Sequence, residues 1–406
     1  MGKCHRPVGS APRWGLARAR SRCVIVRCLF LAAVLLLPLI ACRFPLSVRP
    51  TVKMGLVAPF EGRYRYVGYD VIYAVRLALA EVNDSGGVCG YGVELVAYDD
   101  GADPSLALEQ VRKLDVDPDV VGALGHFREA TTAAASDVYI EAGMPFLMPT
   151  HLSRAGTMSE GVHALGPSAD WLADALLGRA VELAGDEPVV LLGDGGALTE
   201  ALLRAAQRRA IDLCVTSPET DGWEREVMAE RPAVLLSDLD PVPAGEVVSV
   251  LREAGWAGEV LGGPALAAAD FVAVGGASAT GTLFLTPWPF PEDVPGGEAF
   301  IAAYADVSDG ATPGPLALPA YRGTQVMLEA LAQAATNGAP SRERVLNALA
   351  ELEREGRLGR TAGWGRRLGA DEGSVSAEGE LAWYRIGPEG APRLIGTVLS
   401  SQRVEP

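Results

Sequence analysis

Lysine is almost missing from this chain of 406 residues: Lys3, Lys53 and Lys113 are its only examples, so arginine supplies nearly all of the 35 basic side chains. We read that bias as genome composition. The 51 acids outnumber the bases and leave a net charge of −16. A surface without clustered lysine and arginine cannot lay down phosphates, which argues against nucleic acid as a partner. Cysteine is scarce as well. Four of the six fall within the first 42 residues, and Cys89 and Cys214 stand far apart in what remains. That spacing suits neither a disulfide framework nor a metal site, so both are expected to be free, buried thiols. No apolar run reaches the roughly 20 residues of a membrane span. The longest, Cys28–Ala41, holds 14 residues and is interrupted by Pro38.

Chemistry-bearing motifs are missing too. Gly193-Asp-Gly-Gly196 has no Lys-Ser/Thr to make a phosphate loop, and Thr280 stands where the second glycine of a G-x-S-x-G elbow belongs. Asp115-Val-Asp-Pro-Asp119 lacks the glycine and terminal glutamate of a calcium loop. Asp99, Asp100 and Asp103 look like a metal cluster, yet Asp103 precedes Pro104 as a helix cap would. His126, His151 and His163 are scattered and read as hydrogen-bonded loop residues. No catalysis, metal or cofactor is expected.

What is present begins with a leader. Residues 1–41 carry seven basic side chains and no acid, followed by the short apolar run. Basic flank, apolar stretch and small residue in that order describe an export signal. Its end, Leu39-Ile40-Ala41-Cys42, resembles the bacterial lipobox, in which the cysteine takes a lipid. An ordinary signal peptide and a retained anchor helix are the alternatives. Cleavage before Cys42 would leave a tether over 42–51 and 28 bases against 51 acids, a net −23. Such acidity favours solubility and weak adhesion to anionic surfaces.

Beyond the tether, apolar runs alternate with helical spacings. Strands are expected at 53–58, 93–98, 119–124 and 144–149, with helices from 71, from 103 and over 129–142. A second series has strands at 188–193, 211–215, 232–237 and 281–286, with helices at 168–184, 197–210, 243–254 and 265–273. Single helices between strands imply parallel β-α-β units. Three late helices, at 297–307, 318–336 and 341–354, and two final strands, at 380–386 and 393–399, cannot make a domain alone. The fold class is therefore α/β: two interleaved, doubly wound parallel-sheet lobes joined by a hinge. The first lobe is expected over 52–166 plus about 288–354, the second over 167–287 plus about 355–403. Ligands of such sheets sit beyond the carboxyl ends of the strands. That rule nominates the loops 59–67, 99–103, 125–131, 150–154, 193–197, 237–242 and 262–265.

At these loops the stretches Val57-Ala-Pro-Phe-Glu-Gly62, Glu81-Val-Asn-Asp-Ser-Gly-Gly-Val88 and Tyr98-Asp-Asp-Gly-Ala-Asp-Pro104 are distinctive. Gly125-His126, Ala135-Ser-Asp-Val-Tyr139, Glu141-Ala-Gly143 and Met148-Pro149 continue them without gaps. The chain resembles the leucine/isoleucine/valine-binding proteins of ABC importers, the type I periplasmic binding family. The resemblance implies a Venus-flytrap receptor, a monomer, that closes over a small polar solute, amino-acid-like or amide-like, and hands it to an ABC permease. Family members hold the solute's carboxylate with a serine and a threonine, which align with Glu129 and Leu152. The hydroxyls of Thr131, Thr132 and Thr150 stand nearby, and Arg63, Arg65 and Arg128 either pair with an anionic ligand or are solvated and balance Glu129. The family's aromatic and glutamate for the amine are altered: Tyr66 falls one place before the usual aromatic, where Val67 stands, and Ala265 replaces the glutamate. Asp238 or Asp240 is the substitute charge. His126 and Trp288 complete the candidates, Trp288 either stacking on a ligand or packing at the hinge. The family disulfide is absent, its positions being Ala102 and Arg128. These departures leave a second expectation open, a receptor-fold lipoprotein that senses or binds a protein without transport.

Overall fold

The structure is a computed structural model and describes residues 49–149, 161–193, 195–336, 338–355, 357–358 and 380–399. The leader, Cys42, Thr150, His151 and Leu152 lie outside the described residues.

The first lobe is built on five parallel strands: β1 (Thr51–Ala58), β2 (Gly92–Asp99), β3 (Val120–Gly125), β4 (Phe146–Met148) and β5 (Val162–Ala164). Their order is β2-β1-β3-β4-β5, so the chain winds outward in both directions from β1 and β3. β3 is buried along its whole length, as an unbroken apolar run requires in a sheet covered on both faces. Helices α1 (Arg65–Asp84), α2 (Pro104–Val116) and α3 (Glu129–Glu141) are the crossovers. Asp103 starts α2: its carboxylate accepts the N–H groups of Ser105 and Leu106 at 2.7 and 3.0 Å, with Pro104 in the first turn.

Seven strands make the second sheet: β6 (Val189–Gly193), β7 (Cys214–Thr216), β8 (Val234–Asp238), β9 (Glu259–Gly262), β10 (Leu283–Thr286), β11 (Glu380–Ile386) and β12 (Pro392–Leu399). The order is β12-β11-β10-β9-β8-β6-β7, with β11 and β12 antiparallel at one edge. Alternation along β6 feeds two cores. Val189 and Leu191 join α4 (Ala169–Ala184) and α5 (Ala197–Arg208), whereas Val190 and Leu192 join α7 (Pro241–Glu253). α6 (Trp223–Glu230) and α8 (Ala269–Gly275) complete that layer.

The chain then returns. Buried faces of α9 (Gly297–Val307), α10 (Ala317–Ala335) and α11 (Arg342–Arg354) share one core with Met54, Leu56 and Val71 of the first lobe. Leu381 and Trp383 of β11 pack in the second. The return crossing is pinned by Asp70 of α1, whose carboxylate accepts the N–H groups of Gly314 and Leu316, both at 2.7 Å.

Several details differ from the expectations. β5, β9 and α6 are additional elements of three, four and eight residues, too short for a periodic signal. The expected helix over 265–273 is a 3-10 turn, Pro264–Ala267, followed by α8, because Ala268 between them is extended. Both described cysteines are free, but Cys89 is exposed and Cys214 only half-buried. Each sits in a connecting or edge segment instead of a core strand.

Candidate functional site

Carboxyl ends of strands from both sheets converge on a cavity of about 500 Å³. That volume lies within the roughly 300–1,000 Å³ of small-molecule sites. β3 delivers the first-lobe wall. Its last residue must be glycine, since a Cβ on Gly125 would lie 2.3 Å from the Val57 carbonyl oxygen. Two residues on, Phe127 is held at φ +64°, a left-handed conformation costly for a bulky side chain. This bend turns Arg128 and Glu129 into the cleft at the start of α3.

Both then cross to the other lobe. Arg128 grips Asp240, at the start of α7, with both terminal nitrogens, Nη2 to Oδ2 at 2.8 Å and Nη1 to Oδ1. The Tyr64 hydroxyl donates to the same carboxylate at 2.6 Å, and the Arg63 guanidinium stands 3.6 Å away. Arg128 also lies over the Tyr64 ring, 4.1 Å from its centre. Burial works to raise the Asp240 carboxyl, but the Arg128 bonds and charge, with Tyr64 and Arg63, hold it below its ordinary value. Burial likewise opposes the Arg128 charge, and Asp240 more than offsets it, so the guanidinium is held above its ordinary value.

Glu129 makes the second crossing. Both its oxygens accept the Ala197 N–H, at 2.8 and 3.1 Å. Ala197 opens α5, and Gly196 before it has no side chain with which to cap. A carboxylate there meets unpaired N–H groups and the positive end of the helix dipole. The first lobe thus supplies the cap of a second-lobe helix.

Within its own lobe Asp238 accepts from the Thr199 N–H at 2.8 Å and hydroxyl at 2.7 Å. Asp240, the other candidate aspartate, spans the cleft to Arg128 and Tyr64. Tyr66 and Ala265 line the cavity, as do Trp288 at the crossing and Leu316 beside it. The Tyr66 phenol is buried enough to resist ionisation, its proton affinity raised chiefly by desolvation.

His126 and Thr131 are not brought to the cavity. His126 is wholly buried behind its wall, with Nδ1 2.8 Å from Asp100 Oδ2 and Nε2 3.3 Å from the Tyr139 hydroxyl. Thr131 is equally buried and donates to the Arg128 carbonyl at 3.2 Å. The apparent acidic cluster disperses as well. Asp99 accepts the Phe60 N–H, Asp100 holds His126 and Asp103 caps α2. Tyr64 escaped the sequence reading; only its place in the loop after β1 pointed to it.

A family profile described as periplasmic binding protein matches residues 51–370. The leucine-, isoleucine-, valine-, threonine- and alanine-binding protein of Pseudomonas aeruginosa is 24% identical over 312 residues, 74% of this chain and 82% of that one. A leucine-binding protein of Thermotoga maritima superposes with a TM-score of 0.73 at 18% identity, covering 86% of this chain and 99% of that one. A fatty acid ABC transporter substrate-binding protein of Thermomonospora curvata gives 0.69 at 20% identity, covering 86% and 91%. The chain belongs to the periplasmic binding protein family, in the type I branch that includes the leucine/isoleucine/valine-binding proteins.

Proposed function

We propose that this chain is the exported solute-binding component of an ABC importer, anchored as a lipoprotein through Cys42. It acts as a monomer, without catalysis, and closes two lobes over one small solute, amino-acid-like or amide-like. The lobes run over 52–166 with about 288–354, and 167–287 with about 355–403. A permease in the same membrane receives the closed form. The observation that carries this reading is the cavity of about 500 Å³ walled by strand ends of both sheets, which only lobe closure can complete. Tyr66, Arg128, Glu129, Asp238, Asp240 and Ala265 are its wall residues in the ligand role. The fold does not choose the solute, since the neighbours are named for amino acids and for fatty acids alike.

A solute present at 100 times its dissociation constant adds about 2.7 kcal/mol to stability. Thermal melts of the exported chain against amino acids, amides, short peptides, sugars and dicarboxylates are expected to show such a shift for one class. A flat response to the whole panel would refute solute binding. It would favour the second reading, a sensor or protein-binding lipoprotein, for which the relevant observation is that the chain's own side chains already bridge the cleft. Lipidation has a separate test: Cys42→Ser should release the protein from membranes, and unchanged mass and attachment would refute it.

A further inference from the structure

The two bridges between the lobes start from consecutive residues, so whatever aims that short segment controls both. Arg128 pairs with Asp240 at the start of α7, and Glu129 caps α5 through the Ala197 N–H. Between Gly125 at the end of β3 and Glu129 at the start of α3 the chain has three residues in which to turn. Phe127, the middle one, is held at φ +64°. A bulky residue stays in that region only when its surroundings fix it from outside.

His126, the residue before it, supplies such a fixture. It sits behind the cavity wall and is wholly buried, as are Asp100 and Tyr139. Nδ1 lies 2.8 Å from Asp100 Oδ2, and Nε2 3.3 Å from the Tyr139 hydroxyl. Burial raises the Tyr139 phenol above its ordinary value, and the Asp100 charge adds to the effect. The hydroxyl therefore keeps its proton and donates to Nε2, which leaves the ring proton on Nδ1, aimed at Asp100. Both partners are themselves anchored. Asp100 accepts the Ala102 N–H at 3.0 Å with its other oxygen, in the turn after β2. Tyr139 belongs to α3 and stacks on Phe146 of β4, with ring centres 4.0 Å apart. His126 thus ties the end of β3 to the body of the helix whose first turn carries Glu129. Every one of these contacts lies within the first lobe, so none of them needs the second lobe to be in place. We propose that His126 is the positioning residue of both bridges: it fixes the turn between β3 and α3 from behind and aims Arg128 and Glu129 at the second lobe before the lobes meet. The proposal concerns closure and not the solute, so its failure would leave the solute-binding reading standing.

Hydrogen exchange resolved to single amides tests it in the solute-free exported chain. The reporter is the Ala197 N–H of the second lobe, which donates to the Glu129 oxygens. Met54 in β1 and Leu191 in β6 report whether each sheet stays folded. His126→Leu removes both ring bonds and should lower the Ala197 protection about tenfold or more, as far as Glu129→Ala does, with the Met54 and Leu191 amides unchanged. A role confined to packing in the first lobe would not reach an amide of the second. His126→Asn, whose side-chain N–H can replace Nδ1 toward Asp100, should keep the Ala197 protection within about threefold of native. Because both bridges depend on His126, adding Arg128→Met to His126→Leu should enlarge the radius of gyration no further. Native protection of Ala197 in His126→Leu would overturn the proposal. Where that variant fails to fold, Tyr139→Phe takes its place: the stack on Phe146 is kept, Nε2 loses its donor, and unchanged Ala197 protection would overturn the proposal equally. A native chain whose Ala197 amide is already unprotected would overturn it as well.

Discussion

The bridge between the lobes makes a quantitative prediction about closure without any solute. Its centre is the Asp240 carboxylate, which receives two bonds from Arg128 and one from Tyr64 across the cleft. The two side chains of the ion pair are only 26% and 16% exposed, so solvent screens them less than it would a surface pair. Hydrogen bonds to charged groups contribute roughly 1.5–3 kcal/mol each, and part of that is offset by the cost of desolvating both ions. We therefore assign the whole clasp about 2–3 kcal/mol. It exists only when the lobes meet, so this free energy favours closing, not folding. At about 1.4 kcal/mol per factor of ten, removing it shifts the closed-to-open ratio about 30- to 150-fold.

Asp240→Asn and Arg128→Met each break the pair. Small-angle scattering of the solute-free protein should give the native chain the radius of gyration of the closed structure, and each variant a larger one. The double variant should open no further than either single one, since both remove a single shared interaction. Acid should do the same. A carboxyl held below its ordinary value of 3.8 stabilises the closed form above that pH and ceases to do so as pH falls through its lowered value. Closure should thus be flat from pH 8 to 5 and weaken only as pH falls below 3.8. A native chain that scatters as an open form at pH 7, indistinguishable from Asp240→Asn, would refute the clasp.

Three further predictions concern stability. Gly125→Ala forces a Cβ to 2.3 Å from the Val57 carbonyl, so it should cost about 3 kcal/mol or more, read as a lowered midpoint in urea. Asp103→Ala removes the α2 cap and should cost about 1 kcal/mol by the same measurement. His163 is 5% exposed, and burial lowers its affinity for a proton, although Glu353 at 3.1 Å partly opposes this. Its contribution is present above its ordinary value of 6.5 and is lost as pH falls towards the lowered one, so His163→Gln should flatten the decline of the melting temperature between pH 7 and 5.

The fold was legible because its signals are local and repeated. Runs such as Val189–Gly193, with helical spacings between them, state a parallel sheet outright. β5, β9 and α6 were not legible, being only three, four and eight residues long. Five of the seven loops named by the strand-end rule line the cavity, because topology alone decides where those ends lie; 99–103 does not line it, and 150–154 lies outside the described residues. Roles within the loops were a different matter. Glu129 aligned with a position that holds a solute carboxylate in the family, and nothing in its neighbours reveals that it accepts from an N–H at residue 197. The choice between Asp238 and Asp240 needed the same long-range knowledge. His126 looked like a cleft residue because it follows β3, but alternation turns it inward, to Asp100 and Tyr139.

Arg128 and Glu129 reach different elements of the second lobe, Arg128 the start of α7 and Glu129 the start of α5. One attachment would leave the lobes free to rotate about it. Two separated attachments from consecutive residues fix both the closing angle and the twist. In a receptor whose solute supplies the charges, solute binding and lobe alignment are one event. Here the chain's own side chains already align the lobes, so a solute adds its contacts to a geometry that Arg128 and Glu129 have set.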